Sequence, residues 1–334
     1  MGINMDDMLS VVMPIYNESG IADGVERVMR VLRESDIPFE IILVDDGSTN
    51  DSWNEMTDLA QKYDTVTAIA LSRNFGKENA LCAGLDAVQG KCCVCIDSDM
   101  QHPPEVIPEM YHLWKEKGFE VVEGVKNARN KENPIYRFCA NSFYSLLKKM
   151  SGIDLRNASD FRLLDEKALL AWKAMPEKQT FFRGMSSWIG FRRTQVYFDV
   201  SDRINGSSKW SAGNLVNLAV NAITSYSSIP LYFATGFGIL FLLFSIIMFV
   251  QTLYMKVNGY AQDGFTTVIM LQLIIGSVIM VNMGIIGIYI MKIYDEIKSR
   301  PRYIVSRVIT SNNGKKKQCR HDKDNGKEGD DGNI

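Results

Sequence analysis

Short apolar runs alternate with stretches whose apolar positions recur every three or four residues through the first part of the chain. Leu9–Ile15 is the first run and reads as a strand. Ile21, Val25, Val28, Met29 and Leu32 then fall on one helical face. Residues 39–44 read as a second strand, 52–63 as a helix begun by the capping-rich turn 45–51, and 65–71 as a third strand. A small-residue helix is expected over 79–88, and a buried strand from Cys92 to Ile96 ends in Asp97, Asp99 and Gln101. Pro103 and Pro104 open the next helix, near 105–117. Further elements are expected as a strand at 119–125, helices at 136–150 and 165–174, and a last strand at 195–200. Such alternation predicts a doubly wound, mostly parallel α/β sheet.

The pattern changes after residue 210. Leu215, Leu218, Ala219, Ala222, Ile223 and Tyr226 share one helical face, as in a helix lying at a bilayer surface. Residues 229–250 carry no charge, and neither do 265–291. Each is long enough to cross a hydrocarbon core of roughly 30 Å as a helix. The expected organisation is therefore a catalytic domain at 1–210, an amphipathic juxtamembrane helix at 211–228, and transmembrane helices at 229–251 and 265–291. A short loop at 252–264 joins the two helices, and a basic, partly disordered tail occupies 292–334. From Arg302 the tail starts as a short extended arm.

Charge orients this plan. The loop holds Lys256 and Asp263, whereas the tail begins with Lys292, Lys298, Arg300, Arg302 and Arg307. The positive-inside bias puts the tail in the cytoplasm, and two spans return the chain to the side on which it began. Residues 1–8 are polar and acidic, unlike a signal peptide, so the front domain is expected in the cytoplasm of a multi-pass inner (plasma) membrane protein. A net charge of -2 gives no basic field for nucleic acid. The six cysteines show no disulfide framework, and no His pairs with Cys at a zinc spacing. Small and polar residues of the second span, such as Gly276, Ser277, Asn282 and Gly284, could pack helices into a homo-oligomer.

The chemistry gathers at the strand ends. Asp97 and Asp99 follow a strand directly, where ligands bind in open α/β sheets. Two carboxylates beside the amide of Gln101 suit Mg²⁺ or Mn²⁺ carried by a phosphate substrate, although a polar turn would also give this pattern. No Gly-x-Gly-x-x-Gly follows the first strand and no Gly-Lys-Ser/Thr loop exists, which disfavours a Rossmann dinucleotide site and a P-loop.

Taken in order, the motifs resemble the family 2 glycosyltransferases with a GT-A fold, and among them the polyprenyl-phosphate glycosyltransferases. That group includes dolichol-phosphate mannose synthase and bacterial undecaprenyl-phosphate glucosyltransferases. The motifs are Val12 to Glu18, Val44 to Ser48, Ser72 to Glu78, Asp97 to Glu105, Ser159 to Leu164 and Arg203 to Lys209. The resemblance covers about residues 8 to 300, both apolar segments included. It implies that Pro14, Tyr16 and Glu18 line a nucleoside pocket, with Val44 and Asp46 on the base. Lys77, Asp97 and Ser98 would serve the nucleotide-sugar, with Asp97 also counted as catalytic and in reach of ribose, sugar or metal, and Asp99 and Gln101 would hold the metal. Asp160 matches a proposed catalytic carboxylate, either a base or a group that orients sugar or acceptor. A phosphate monoester is already largely ionised at neutral pH, since its second pKa is about 6, so a strict base is not required. Arg129, Arg137, Arg203 and Lys209 are candidates for the acceptor phosphate. The family commonly has arginine where this chain has Lys126.

The expected activity is inverting transfer of a hexose, glucose first, from a UDP-sugar to a polyprenyl phosphate such as undecaprenyl phosphate. It would occur at the cytoplasmic leaflet, for use in a cell-envelope glycan or lipid. A processive polysaccharide synthase is the rival enzyme, but its Gln-x-x-Arg-Trp motif is absent. A non-catalytic membrane scaffold is the other rival.

Overall fold

Four apolar runs form the parallel centre of one sheet. They are β1 (Leu9–Ile15), β2 (Phe39–Asp45), β3 (Val66–Leu71) and β4 (Cys92–Cys95), arranged β4-β1-β2-β3. The computed structural model describes residues 7–127, 158–175, 177, 182–199, 229–258, 264–298 and 300–310. The expected helix at 136–150, the juxtamembrane helix at 211–228 and the tail beyond 310 lie outside the described residues. So do Arg129, Arg137, Arg203 and Lys209.

All seven residues of β1 are buried, as a parallel strand covered on both faces requires. One face carries α1 (Ile21–Glu34), α2 (Ser52–Lys62) and α4 (Ile107–Lys115). The other carries α3 (Lys77–Asp86), α5 (Glu166–Lys173) and α6 (Phe182–Trp188). In α1 the buried positions include Ile21, Val25, Val28, Met29 and Leu32, the face expected from the spacing. Cys92, Cys93 and Cys95 are fully buried core residues with free thiols. Burial pushes the Cys93 thiol up to about 12.

The other half of the sheet departs from expectation. β6 (Ala158–Asp165) runs antiparallel between β4 and β5 (Val121–Lys126), where no strand was expected. Its charged residues Asp160 and Arg162 are buried by pairing with other charges, which disguises the strand pattern. The strand expected at 195–200 is β7 (Arg193–Phe198), parallel to β5, and it is not the last. β8 (Val305–Thr310) pairs antiparallel with β3, so the arm expected after Arg302 is the eighth strand of the sheet. The sheet therefore draws on residues well beyond the boundary expected at 210.

The approach to β8 is tied down residue by residue. The Arg302 guanidinium donates to the carbonyl of Met175 and lies over the Trp172 ring. Tyr303 Oη donates to Asp86 at 2.5 Å, and Ser72 N–H donates to the Ile304 carbonyl at 2.9 Å. Ending the chain at Arg302 would bare the backbone of β3 as an open edge. Such a chain is expected to melt about 5–10 °C lower by intrinsic fluorescence and to aggregate on extraction.

Two long helices precede β8. They are α7 (Ile229–Val257) and α8 (Phe265–Ile297), both longer than the apolar segments expected at 229–251 and 265–291. The helix continues past Met291 because Lys292, Glu296 and their neighbours are helix formers. Among the described residues, one stretch, Ile274–Ile297, is long and apolar enough to cross a membrane. Ala234–Met248 is a shorter apolar stretch.

Candidate active site

The strand order reverses at β1: β2 and β3 extend to one side of it and β4 lies on the other. At such a point the loops leaving the carboxyl ends of the strands diverge and open a crevice. A cleft of about 280 Å³ occupies it. Pro14, Ile15, Tyr16 and Glu18 line it from β1, Asp46 from β2, Asn74, Gly76 and Lys77 from the β3–α3 loop, and Asp97, Ser98 and Asp99 from β4.

Hydrogen bonds between loops hold the wall. Asn17 N–H donates to Ser48 Oγ at 2.9 Å, and Asn17 Oδ1 accepts the Thr49 N–H at 2.8 Å. Asp46 accepts the N–H groups of Phe75 and Gly76 at 2.7 and 2.9 Å, one on each oxygen. Burial nonetheless pushes its carboxyl up from the ordinary value. Gly47 has φ +71, and a Cβ there would stand 2.5 Å from the Arg73 backbone, so only glycine fits. Asp46 thus lines the cleft and also braces it. Val44 does not line it: its fully buried side chain packs under α3 at Gly84. Of the two residues expected on the base, Asp46 lines the cleft, whereas the Val44 side chain lies on the face of β2 that α3 covers.

The segment 97–102 is anchored at two points. Met100 has φ 54, uncommon for a side-chain-bearing residue, and its buried side chain fills the space left by Gly24. His102 stacks on Phe161 with ring centroids 5.2 Å apart, and its Nδ1 accepts the Asp97 N–H at 3.4 Å. Burial lowers the His102 pKa despite the nearby Asp97 carboxylate. Asp99 Oδ1 accepts the Gln101 N–H at 3.1 Å. Gln101 itself does not line the cleft.

Charge is concentrated where α3, β4, β6 and α6 meet. The Lys77 ammonium lies 2.6 Å from Asp97 Oδ1 and 2.6 Å from Asp160 Oδ2. Arg183 binds the same Asp160 bidentately, Nε to Oδ1 at 2.6 Å and Nη2 to Oδ2 at 3.0 Å. Burial alone would raise the Asp160 pKa, but the bonds from Arg183 and the charge of Lys77 outweigh it and hold the carboxyl far below the usual range. Burial would lower the Lys77 pKa, and Asp97 and Asp160 raise it instead. Lys126, at the end of β5, is lowered by burial and then by Arg183. It has no ion pair among the described residues.

The structure thus brings Pro14, Tyr16, Glu18, Asp46, Lys77, Asp97, Ser98 and Asp99 to one cleft and sets Asp160 beside it. The role of Arg183 was not legible in the sequence, since an arginine in a seven-residue helix carries no motif. Arg162, two positions from Asp160 and on the same face of β6, was hidden with it, because that strand was not expected.

A divalent cation fits this donor set. Glu18 is raised by burial and then by the charges of Asp99 and Asp97, so three hard oxygen donors share one region that an added cation would relieve. Among the described residues no three His, Cys, Asp or Glu side chains form a closed cage. An ion held through one or two of these carboxylates would complete its coordination with substrate phosphates and water.

Comparison with known proteins places these features in a family. Residues 10–169 match the sequence profile of Glycosyl transferase family 2. An uncharacterized glycosyltransferase of Synechocystis sp. is 37% identical over 305 residues, 89% of this chain and 94% of its own. A prophage bactoprenol glucosyl transferase homolog of Escherichia coli is 33% identical over 90% of this chain and 99% of its own. A prophage-derived bactoprenol glucosyl transferase of Shigella flexneri is 33% identical over 90% and 97%.

Proposed function

The chain belongs to glycosyl transferase family 2, and from that premise we propose that it transfers a hexose, glucose first, from a UDP-sugar to a polyprenyl phosphate at the cytoplasmic membrane surface. The observation that carries this reading is the extent of the likeness to relatives named bactoprenol glucosyl transferases. At 90% of this chain, the match leaves out too few residues to omit the apolar helices along with the remainder. The resemblance therefore reaches the part of the chain suited to a lipid acceptor as well as the catalytic domain.

Two features support a double crossing of the inner membrane. Ile279, Met280, Val281 and Met283 are 54%, 73%, 64% and 62% exposed. At about 100° per residue these positions span about 200° of the circumference of α8, so an apolar face wider than half the helix needs a non-aqueous environment. β8 lies in the same sheet as β1 to β7, so the chain must recross wherever it crosses. An even number of spans follows, and α7 and α8 supply two.

The cleft divides the labour. Tyr16, 48% exposed, offers a ring face for the base. Asp99, with Glu18 and Asp97 near it and Gln101 next in line, would hold Mg²⁺ or Mn²⁺, which when bound offsets the charge on the departing diphosphate. Lys77 and Arg183 orient Asp160, whose two oxygens are both occupied. Asp160 then acts as a positioning group, because a carboxyl held this low is a poor proton acceptor. An ionised acceptor phosphate oxygen attacks the anomeric carbon, the bond to the diphosphate breaks with its electron pair leaving on UDP, and the configuration inverts. Lys126 and Arg183 are cations close to Asp97 and Asp160 that do not themselves line the nucleoside cleft, and they are candidates to meet the acceptor phosphate. Arg129, Arg137, Arg203 and Lys209 extend the candidates for that phosphate.

The test is transfer itself. Membranes holding the full chain are incubated with polyprenyl phosphate, Mn²⁺ or Mg²⁺ and a panel of labelled nucleotide sugars. UDP-glucose is expected to give an organic-extractable, mild-acid-labile labelled lipid, and EDTA is expected to abolish the label. If no donor labels lipid, the reading fails.

A further inference from the structure

Glu78 follows Lys77 at the start of α3, yet it does not line the nucleoside cleft. Its Oε2 accepts the N–H of Phe182, the first residue of α6, at 2.8 Å. That N–H has no acceptor within its own helix, so the carboxyl caps α6 from another element. From the opposite side Arg162 Nη1 donates to the Arg183 carbonyl at 3.0 Å and to Ser187 Oγ at 3.2 Å. The short helix is thereby clamped between β6 and the first turn of α3, and Arg183 is the residue the clamp presents to Asp160.

We propose that Glu78 is a positioning residue for sugar transfer: it fixes the first turn of α6 and, through it, the Arg183–Asp160 pair, without touching substrate. The proposal rests on the transferase reading above.

The position is electrostatically unusual for a merely structural cap. Glutamine could accept the Phe182 N–H without charge, but the chain places a carboxyl facing Asp160 of β6, with Lys77 of its own helix and Arg183 of α6 as the cations around it. Burial first, then Asp160, pushes the Glu78 carboxyl up to about 7, against the Phe182 N–H, Lys77 and Arg183. Ionised Glu78 makes a charge-assisted bond to Phe182 and tightens the clamp. Transfer should therefore rise with pH through about 7. Stability should move the other way. The folded-state pKa lies above the ordinary 4.5, so the unfolded chain releases this proton first, and stability is lost as pH rises from 4.5 to about 7 and is level beyond.

These opposed signs make the test. Glu78→Gln and Glu78→Ala are made in the full chain. Transfer of labelled sugar and melting temperature are followed from pH 5 to pH 9. For Glu78→Gln, kcat at pH 8 is expected to fall about tenfold with the donor KM nearly unchanged, and the inflection near 7 to vanish while that of the acceptor phosphate, at about 6, remains. At pH 8 the same variant should melt about 5 °C higher than the parent, a gain that shrinks toward pH 5. Glu78→Ala, which cannot accept the N–H, should lose about a hundredfold in kcat. The proposal is overturned if Glu78→Gln keeps the parental rate and inflection, or if it melts below the parent at pH 8. A parent chain that transfers no sugar overturns the transferase reading instead, and the melting comparison distinguishes that failure from one at Glu78.

Discussion

Asp160→Asn is expected to lower kcat about a thousandfold while leaving the chain folded and the donor cleft intact. The substitution changes one atom and removes one charge. In the parent, Asp160 Oδ1 and Oδ2 accept from Arg183 Nε and Nη2, and Oδ2 also takes the Lys77 ammonium. An asparagine presents one NH₂ to this array, so a donor must face a donor whichever way the amide turns. Either Arg183 loses half of its fork or Lys77 leaves. The change in stability should stay near 1–3 kcal/mol, because both cations retain access to water. The pH dependence separates the two roles open to Asp160. Its folded pKa is depressed below the ordinary 3.8, so the stability it contributes is complete above that value and is lost only as pH falls below it. No inflection between pH 5 and pH 9 is therefore expected to belong to Asp160. Steady-state release of UDP at saturating acceptor is the measurement. A variant within tenfold of the parent would show that the Asp160 array is not needed for transfer.

How much of this could be read from the chain follows from the range of the contacts. β1 to β4 and α1 to α4 announce themselves through local period, because parallel strands buried on both faces are continuous apolar runs. The residues of the cleft were legible for a related reason: each lies at the carboxyl end of one of those runs or in the loop leading from it into the next helix. β6 was not legible, since Asp160 and Arg162 interrupt its apolar pattern and become buried only by pairing with Lys77, Arg183 and Glu123. Lys77 and Asp160 are 83 residues apart, and Arg183 and Asp160 are 23 apart, distances no periodicity spans. β8 was read as an extended arm because its partner β3 lies far back in the chain, across both apolar helices. The same long-range pairing would keep the two ends of the apolar helix pair on one side of any membrane these helices cross, as the charge bias also expects.

The buried pair Arg162–Glu123 gives the second large effect and separates fold from function. Arg162 is 1% exposed and Glu123 is 8% exposed. Their closest approach is 3.4 Å, and Glu123 Oε1 and Arg162 Nε lack hydrogen-bond partners. As an ion pair it is poorly made, and a buried pair of this kind is weak support for a fold once the cost of removing both charges from water is counted. Breaking it from one side is another matter. Arg162→Met is expected to destabilise the chain by about 3–5 kcal/mol, because the Glu123 carboxylate is left buried without a cation. Adding Glu123→Leu should recover most of that loss, since the second change removes the stranded charge. Transfer should not recover with it. Arg162 also donates to the Arg183 carbonyl, and neither methionine nor leucine can replace that bond. The double variant is thus expected to melt near the parent temperature and to stay about a hundredfold low in kcat. Melting by intrinsic fluorescence and UDP release, on the parent and the three variants of this cycle, decide it. Full recovery of the rate in the double variant would mean that Arg162 serves the fold alone and that α6 holds Arg183 in place without it.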